Sequence, residues 1–112
     1  MNNRGVAAED TALRFLEAQG LTLRARNYAC RFGEIDLIVN DKEMVVFVEV
    51  RKRSNSSFGT AAESITSAKR ARLVATAAHY LARQRPTPAC RFDAVLIDAA
   101  GRVEWIRDAF GT

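Results

Sequence analysis

Apolar and polar residues alternate along several stretches of the chain, and that alternation predicts most of its elements. In Met44–Arg53 the side chains of Val45, Phe47, Glu49, Arg51 and Arg53 fall on one face, and Val46, Val48 and Val50 on the other. The run is rich in valine and reads as a strand. A second strand covers Glu34–Val39, with Asn40-Asp41-Lys42-Glu43 as the hairpin turn between the two. Leu21 to Tyr28 alternates well enough for a strand before them. Residues 5–19 follow a helical period through Ala12, Leu13 and Leu16, and Gly20 occupies the position after a helix that favours glycine. Extending that apolar line back by one turn lands on Glu9, a carboxylate on or beside a buried stripe.

After Arg53, Ser54 to Thr60 reads as a polar, flexible loop directly behind the charged end of the third strand. A long helix is expected from Thr66 to Gln84, stopped before Pro86 and Pro88. Its inward line runs through Ile65, Leu73, Thr76, Ala77, Tyr80 and Leu81, with Lys69 close to the same side. Cys90–Ile97 and Arg102–Ile106 complete the pattern as a hairpin around Asp98-Ala99-Ala100-Gly101. Three antiparallel strands followed by a crossover helix imply an α/β domain, a central mixed sheet flanked by helices. Its element order is αβββαβ with a further C-terminal strand.

Composition bounds this picture without changing it. With 112 residues, 48% of them hydrophobic and 27% charged, residues 1–112 are expected to form a single globular domain. No apolar run approaches the ~20 residues a membrane helix needs, and the N-terminus does not read as a secretory signal. Cys30 and Cys90 have neither metal-site spacing nor scaffold density, so they read as reduced thiols in a cytoplasmic protein. The net charge of +4 favours a polyanionic partner. Basic residues gather at Arg51-Lys52-Arg53, at Lys69-Arg70-Ala71-Arg72 and at Arg83 and Arg85, with Arg24, Arg26 and Arg31 earlier.

The candidate chemistry lies where acidic residues interrupt the apolar strands. If strands 34–39 and 44–53 pair as a hairpin, Asp36 lies beside Glu49, with Arg51 two residues on. Two hard carboxylates and a cation make a site for Mg2+ or Mn2+ and a phosphate. The same three residues could equally form a structural ion-pair network. Glu34 points the same way as Asp36 and reads as a rim charge or a further ligand. Glu9 either completes the acidic cluster or pairs with an arginine. Lys69 either approaches a phosphate or snorkels beside the core. His79 reads as a surface or packing residue, Asp93 as the partner of an arginine, and Trp105 and Phe110 as packing residues.

Asp36 followed by Glu49-Val50-Arg51 after a hairpin turn resembles the PD-(D/E)XK signature of restriction-endonuclease-like nucleases. The chain is more closely similar to the YraN-like family of small uncharacterised bacterial proteins. The matching stretches are Gly5 with Ala8-Glu9, Arg26-Asn27-Tyr28, Gly33 to Ile38, Val46 to Arg51, Lys69, Arg91-Phe92-Asp93 and Ala109-Phe110. That family in turn resembles the archaeal Holliday-junction resolvases. The resemblance implies a restriction-endonuclease-like fold and a Mg2+ or Mn2+ ion on Asp36, Glu49 and the carbonyl of Val50. It also implies Glu9 as a helix-borne catalytic acid, DNA as the partner, and a homodimer. One departure bears on activity: position 51 is arginine where the signature has lysine. A guanidinium stays charged and cannot take a proton from water, although it can clamp phosphate.

Three functions follow as expectations. The first is a metal-dependent nuclease acting on DNA, branched DNA included, with Asp36, Glu49, Arg51 and Glu9 as its catalytic set. In that reading Arg51, Arg53, Lys69 and Arg72 hold the nucleic acid. The second is a non-catalytic nucleic-acid-binding module on the same scaffold. The third is a protein-interaction factor whose acidic cluster is structural.

Overall fold

The computed structural model describes residues 4–53 and 65–111. The loop expected at Ser54 to Thr60 lies outside the described residues. Among the described residues the elements are α1 (Arg4–Ala18), β1 (Thr22–Cys30), β2 (Gly33–Asp41), β3 (Met44–Arg53), α2 (Ser67–Leu81), β4 (Cys90–Asp98) and β5 (Val103–Phe110). The expected α/β order is therefore present, with five strands in one sheet in the order β1-β2-β3-β4-β5. β1, β2 and β3 are antiparallel in turn, α2 crosses over, β4 joins β3 in parallel, and β5 returns antiparallel. Among these residues no helix is long and apolar enough to cross a membrane.

Strand alternation divides the interior into two layers. Val45 and Phe47 pack with Ile35, Ile38, Phe92, Ala94 and Leu96 against Leu73 and Ala77 of α2. Val46 and Val48 pack with Leu37, Val39 and Val95 against Ala8, Ala12 and Leu16 of α1. The two helices thus cover opposite faces, and β3 contributes to both layers from the centre of the sheet. A central strand closed in this way accounts for its nearly continuous valines.

α1 ends by donation from the Gly20 N–H to the Glu17 carbonyl and from the Leu21 N–H to the Leu16 carbonyl, at 3.0 and 3.1 Å. This pairing satisfies carbonyls that a helix end leaves open, and it requires the left-handed backbone (φ +96°) that Gly20 adopts. α2 begins with Thr66, whose hydroxyl accepts the Lys69 N–H at 3.2 Å.

Several boundaries differ from the sequence expectation by a residue or more, and three of the differences have a visible cause. α2 stops at Leu81 rather than Gln84, because the Ala82 and Gln84 N–H groups bond three residues back and tighten the chain before Pro86. The β2–β3 turn narrows to Lys42 and Glu43, with Lys42 at φ +57°. β5 runs to Phe110 rather than Ile106, since an irregularity opposite Phe92 and Ala94 carries the strand past Asp108 (φ +52°).

Candidate functional site

β2 and β3 pair from Asp41 with Met44 to Leu37 with Val48, and the ladder ends there. The next pair in that register would be Asp36 with Glu49. Instead the Val50 N–H donates to Asp36 Oδ2 at 2.8 Å. The alternation of β2 slips at the same place: Ile35 and Ile38 both pack on the α2 side, and Leu37 and Val39 on the α1 side. Asp36, at the slip, comes within electrostatic reach of both Glu49 on β3 and Glu9 on α1. The hairpin therefore brings Asp36 and Glu49 together, and the local irregularity adds Glu9.

Glu49 is buried, and two cations converge on its Oε2: Lys69 Nζ at 3.1 Å and Arg51 Nη1 at 3.7 Å. The first turn of α2 thus places Lys69 on the carboxylate, so its amine is part of the cluster. Glu9 is also buried and pairs with an arginine, the second of the two expectations raised for it. Arg26 Nη2 approaches its Oε1 at 3.6 Å, while the Asn27 side-chain amide donates to both its oxygens at 3.0 Å. Arg26 is held in turn by Asp10 at 2.8 Å.

Burial pushes the Asp36 carboxyl up to about 7, with Glu49 as the second cause and Glu9 and a Glu49 hydrogen bond adding to it. The Val50 N–H acts the other way. Burial beside other acids thus disfavours the charged form of Asp36, which a bound cation would relieve. Among the described residues no three His, Cys, Asp or Glu side chains converge as a ready-made cage. The donor set is two hard carboxylates beside the backbone of Val50. It fits an ion that keeps waters or phosphate oxygens in its remaining positions, as magnesium does.

Other candidates lie outside this cluster. Arg53 Nη1 pairs with Glu104 of β5 at 3.1 Å, and its side chain is largely buried. Arg72 is exposed on α2, and its Cβ stands 3.7 Å from where a Cβ on Gly33 would lie. Glu34 stays exposed on the rim of β2. Asp93 is fully enclosed and held by Arg91, as expected of it. His79 is exposed, bonds Tyr28 and packs edge-on to Phe32. Trp105 donates to Asp93, and Phe110 is buried.

Sequence reasoning gave Asn27 no role. A left-handed asparagine (φ +50°) in a strand whose amide grips Glu9 is a specific device, and an asparagine in a strand was the available signal.

Comparison with known proteins gives a consistent result. Residues 8–97 match the family model described as Uncharacterised protein family UPF0102. A UPF0102 protein of Nitrosomonas europaea is 56% identical over 110 residues, which cover 96% of this chain and 93% of the relative. One of Methylobacillus flagellatus is 54% identical over 113 residues, covering 98% of each chain. One of Psychromonas ingrahamii is 49% identical over 110 residues, covering 97% of this chain and 90% of the relative.

Proposed function

The chain belongs to Uncharacterised protein family UPF0102, the YraN-like family, and from that premise we propose that it is a Mg2+- or Mn2+-dependent nuclease acting on DNA, branched DNA included. In this reading the fold is restriction-endonuclease-like. The observation that carries it is the Asp36–Glu49 pair, two carboxylates brought within electrostatic reach at the point where the β2–β3 ladder stops, beside Lys69 and Arg51. A purely structural ion-pair network would neutralise its acids. Here Asp36 instead keeps a raised pKa among like charges.

Asp36, Glu49 and the Val50 carbonyl would hold the ion, and Glu9 would stand behind them. When bound, the ion supplies charge for the scissile phosphate and acidifies its own water. The chain's residues do the rest. The Val50 N–H fixes the Asp36 carboxylate, and Asn27 and Arg26 fix Glu9. Arg51 holds a phosphate oxygen through its guanidinium. Lys69 supplies the amine that position 51 lacks. Its Nζ is on Glu49 at 3.1 Å and would orient attacking water or receive a phosphate once that carboxylate is otherwise engaged. Arg72 extends the positive surface along α2. Arg53, engaged with Glu104, contributes to the positive field from further away.

A non-catalytic DNA-binding module is the second reading, favoured by one observation: the guanidinium at position 51. Cleavage of labelled duplex, single-stranded, flapped and four-way-junction DNA, and of RNA, separates the two. Each is assayed with Mg2+, Mn2+ or chelator, beside Asp36→Ala and Glu49→Ala. Metal-dependent cutting of DNA that both substitutions abolish is the expected result. Binding without turnover selects the module, and neither binding nor turnover overturns both.

A further inference from the structure

The turn between β1 and β2 consists of two residues, Arg31 and Phe32, since Cys30 pairs with Gly33. Tight hairpin turns favour Asn, Asp and Gly, and an Arg-Phe pair brings nothing the turn itself requires. Phe32 is nevertheless held in place. The Arg31 guanidinium lies over its ring at 4.8 Å, and the His79 ring meets it edge-on at 6.2 Å. Phe32 still leaves 38% of its surface in solvent, whereas Phe47, Phe92 and Phe110 are buried.

The position of this tip is fixed by α2. Lys69, Arg72, Thr76 and His79 are spaced three or four apart and share one face of the helix. Lys69 lies on Glu49, Thr76 and Arg72 stand against Gly33, and His79 lies against Phe32. Gly33 is required there. Its φ is +148°, and a Cβ would come to 3.3 Å from Thr76 Oγ1. One helix face therefore runs from the carboxylate pair to the aromatic tip. Four residue steps lead from Phe32 to Asp36, a span of about 13 Å. Bases stacked at about 3.4 Å per nucleotide cover it in about four steps.

We infer that Phe32, backed by Arg31 and His79, is a stacking platform for an unpaired DNA base about four nucleotides or fewer from the phosphate at Asp36 and Glu49. This rests on the nucleic-acid reading above and sharpens it to substrates with a single-stranded element. A base inside intact duplex already has both faces covered by its neighbours. An exposed aromatic ring gains only from a base that has left the stack. Exposed Arg31 and Arg72 and half-buried Lys69 supply the cations for the phosphates of that strand.

The test measures binding of the full chain, in chelator to prevent turnover, by fluorescence anisotropy. The probes are a blunt DNA duplex, the same duplex with a short gap, and the same duplex with a DNA or an RNA tail. The expected result is tighter binding to the gapped and DNA-tailed probes. Phe32→Ala removes about tenfold or more of that gain, leaves blunt-duplex binding and the salt slope unchanged, and Phe32→Trp restores it. Arg72→Ala weakens all probes together and makes the salt slope shallower. A gapped-to-blunt ratio that Phe32→Ala leaves intact overturns the platform while the nucleic-acid reading stands. A Phe32-dependent gain confined to the RNA tail overturns DNA as its ligand. Failure of the unsubstituted protein to bind any probe overturns the nucleic-acid reading itself.

Discussion

Asp36 and Asp93 are carboxylates set in two apolar strands of the same sheet, and their surroundings are opposite. Asp93 accepts from Arg91 Nε at 2.9 Å and Nη2 at 3.1 Å, from Trp105 Nε1 at 3.0 Å and from the Asp108 N–H at 2.9 Å. Each oxygen has two donors, one of them charged, and Arg91 is steadied further by Asp41 at 3.0 Å. Asp36 has the Val50 N–H on one oxygen and faces two other acids. The donors that surround Asp93 make it a structural post that ties β4 to β5. The company Asp36 keeps makes its charged form costly. Asp93 is the more buried of the two, yet it is the count and sign of the neighbours that set them apart.

The largest expected effect falls on the satisfied member of the pair. Asp93→Ala strands a mostly buried guanidinium, an indole N–H and a backbone N–H together. Urea denaturation should show a loss of about 3–5 kcal/mol. The opposite sign is expected at Asp36. Its ordinary pKa is 3.8 and its folded value about 7, so the folded chain keeps a proton that the unfolded chain loses. Its cost is absent below the lower value, grows as pH rises through the interval, and is complete above the upper one. At pH 8 in chelator, Asp36→Asn should stabilise the protein by an amount on the order of 1–3 kcal/mol, and at pH 3 by nothing. Equal stability of the two proteins at both pH values would break the contrast with Asp93.

A smaller effect tests what satisfies Asp36. Millimolar Mn2+ should raise the melting temperature of the unsubstituted protein, corresponding to about 1 kcal/mol, and leave Asp36→Asn unmoved. An equal rise in both would place the ion elsewhere. The smallest change expected is from Arg51→Lys, whose half-exposed side chain is 3.7 Å from Glu49. Stability should move by less than about 0.5 kcal/mol. Any metal-dependent cleavage should rise with it, since the lysine can shed its proton.

The sequence made the strand order, the crossover and the meeting of Asp36 with Glu49 legible, because a two-residue period and a tight turn leave little freedom of register. Glu9 was legible from the helical period that carries Ala12 and Leu16. The slip of β2 at Asp36 was not. It is a competition between continuing the ladder and giving the Val50 N–H to a side chain, which tertiary surroundings decide. Asn27 and Asp108 escaped for a related reason, as single left-handed residues inside strands leave no periodic trace. The extension of β5 to Phe110 depends on Asp93 accepting the Asp108 N–H, a contact between residues fifteen apart. The pairing of Arg53 with Glu104 was not legible, because Glu104 lies on the last strand, two strands away across the sheet.

The left-handed residues have one more consequence. β1 and β5 are the two borders of the sheet, and each is interrupted: β1 by a register shift between Leu23 and Ala25 and by Asn27, β5 by the shift opposite Phe92 and Ala94 and by Asp108. Neither border offers the flat, regular row of open amides that another chain could extend. Fibril-like stacking and a continuous sheet shared by two copies are disfavoured from both sides. A symmetric pair of these molecules would have to meet through helices or loops.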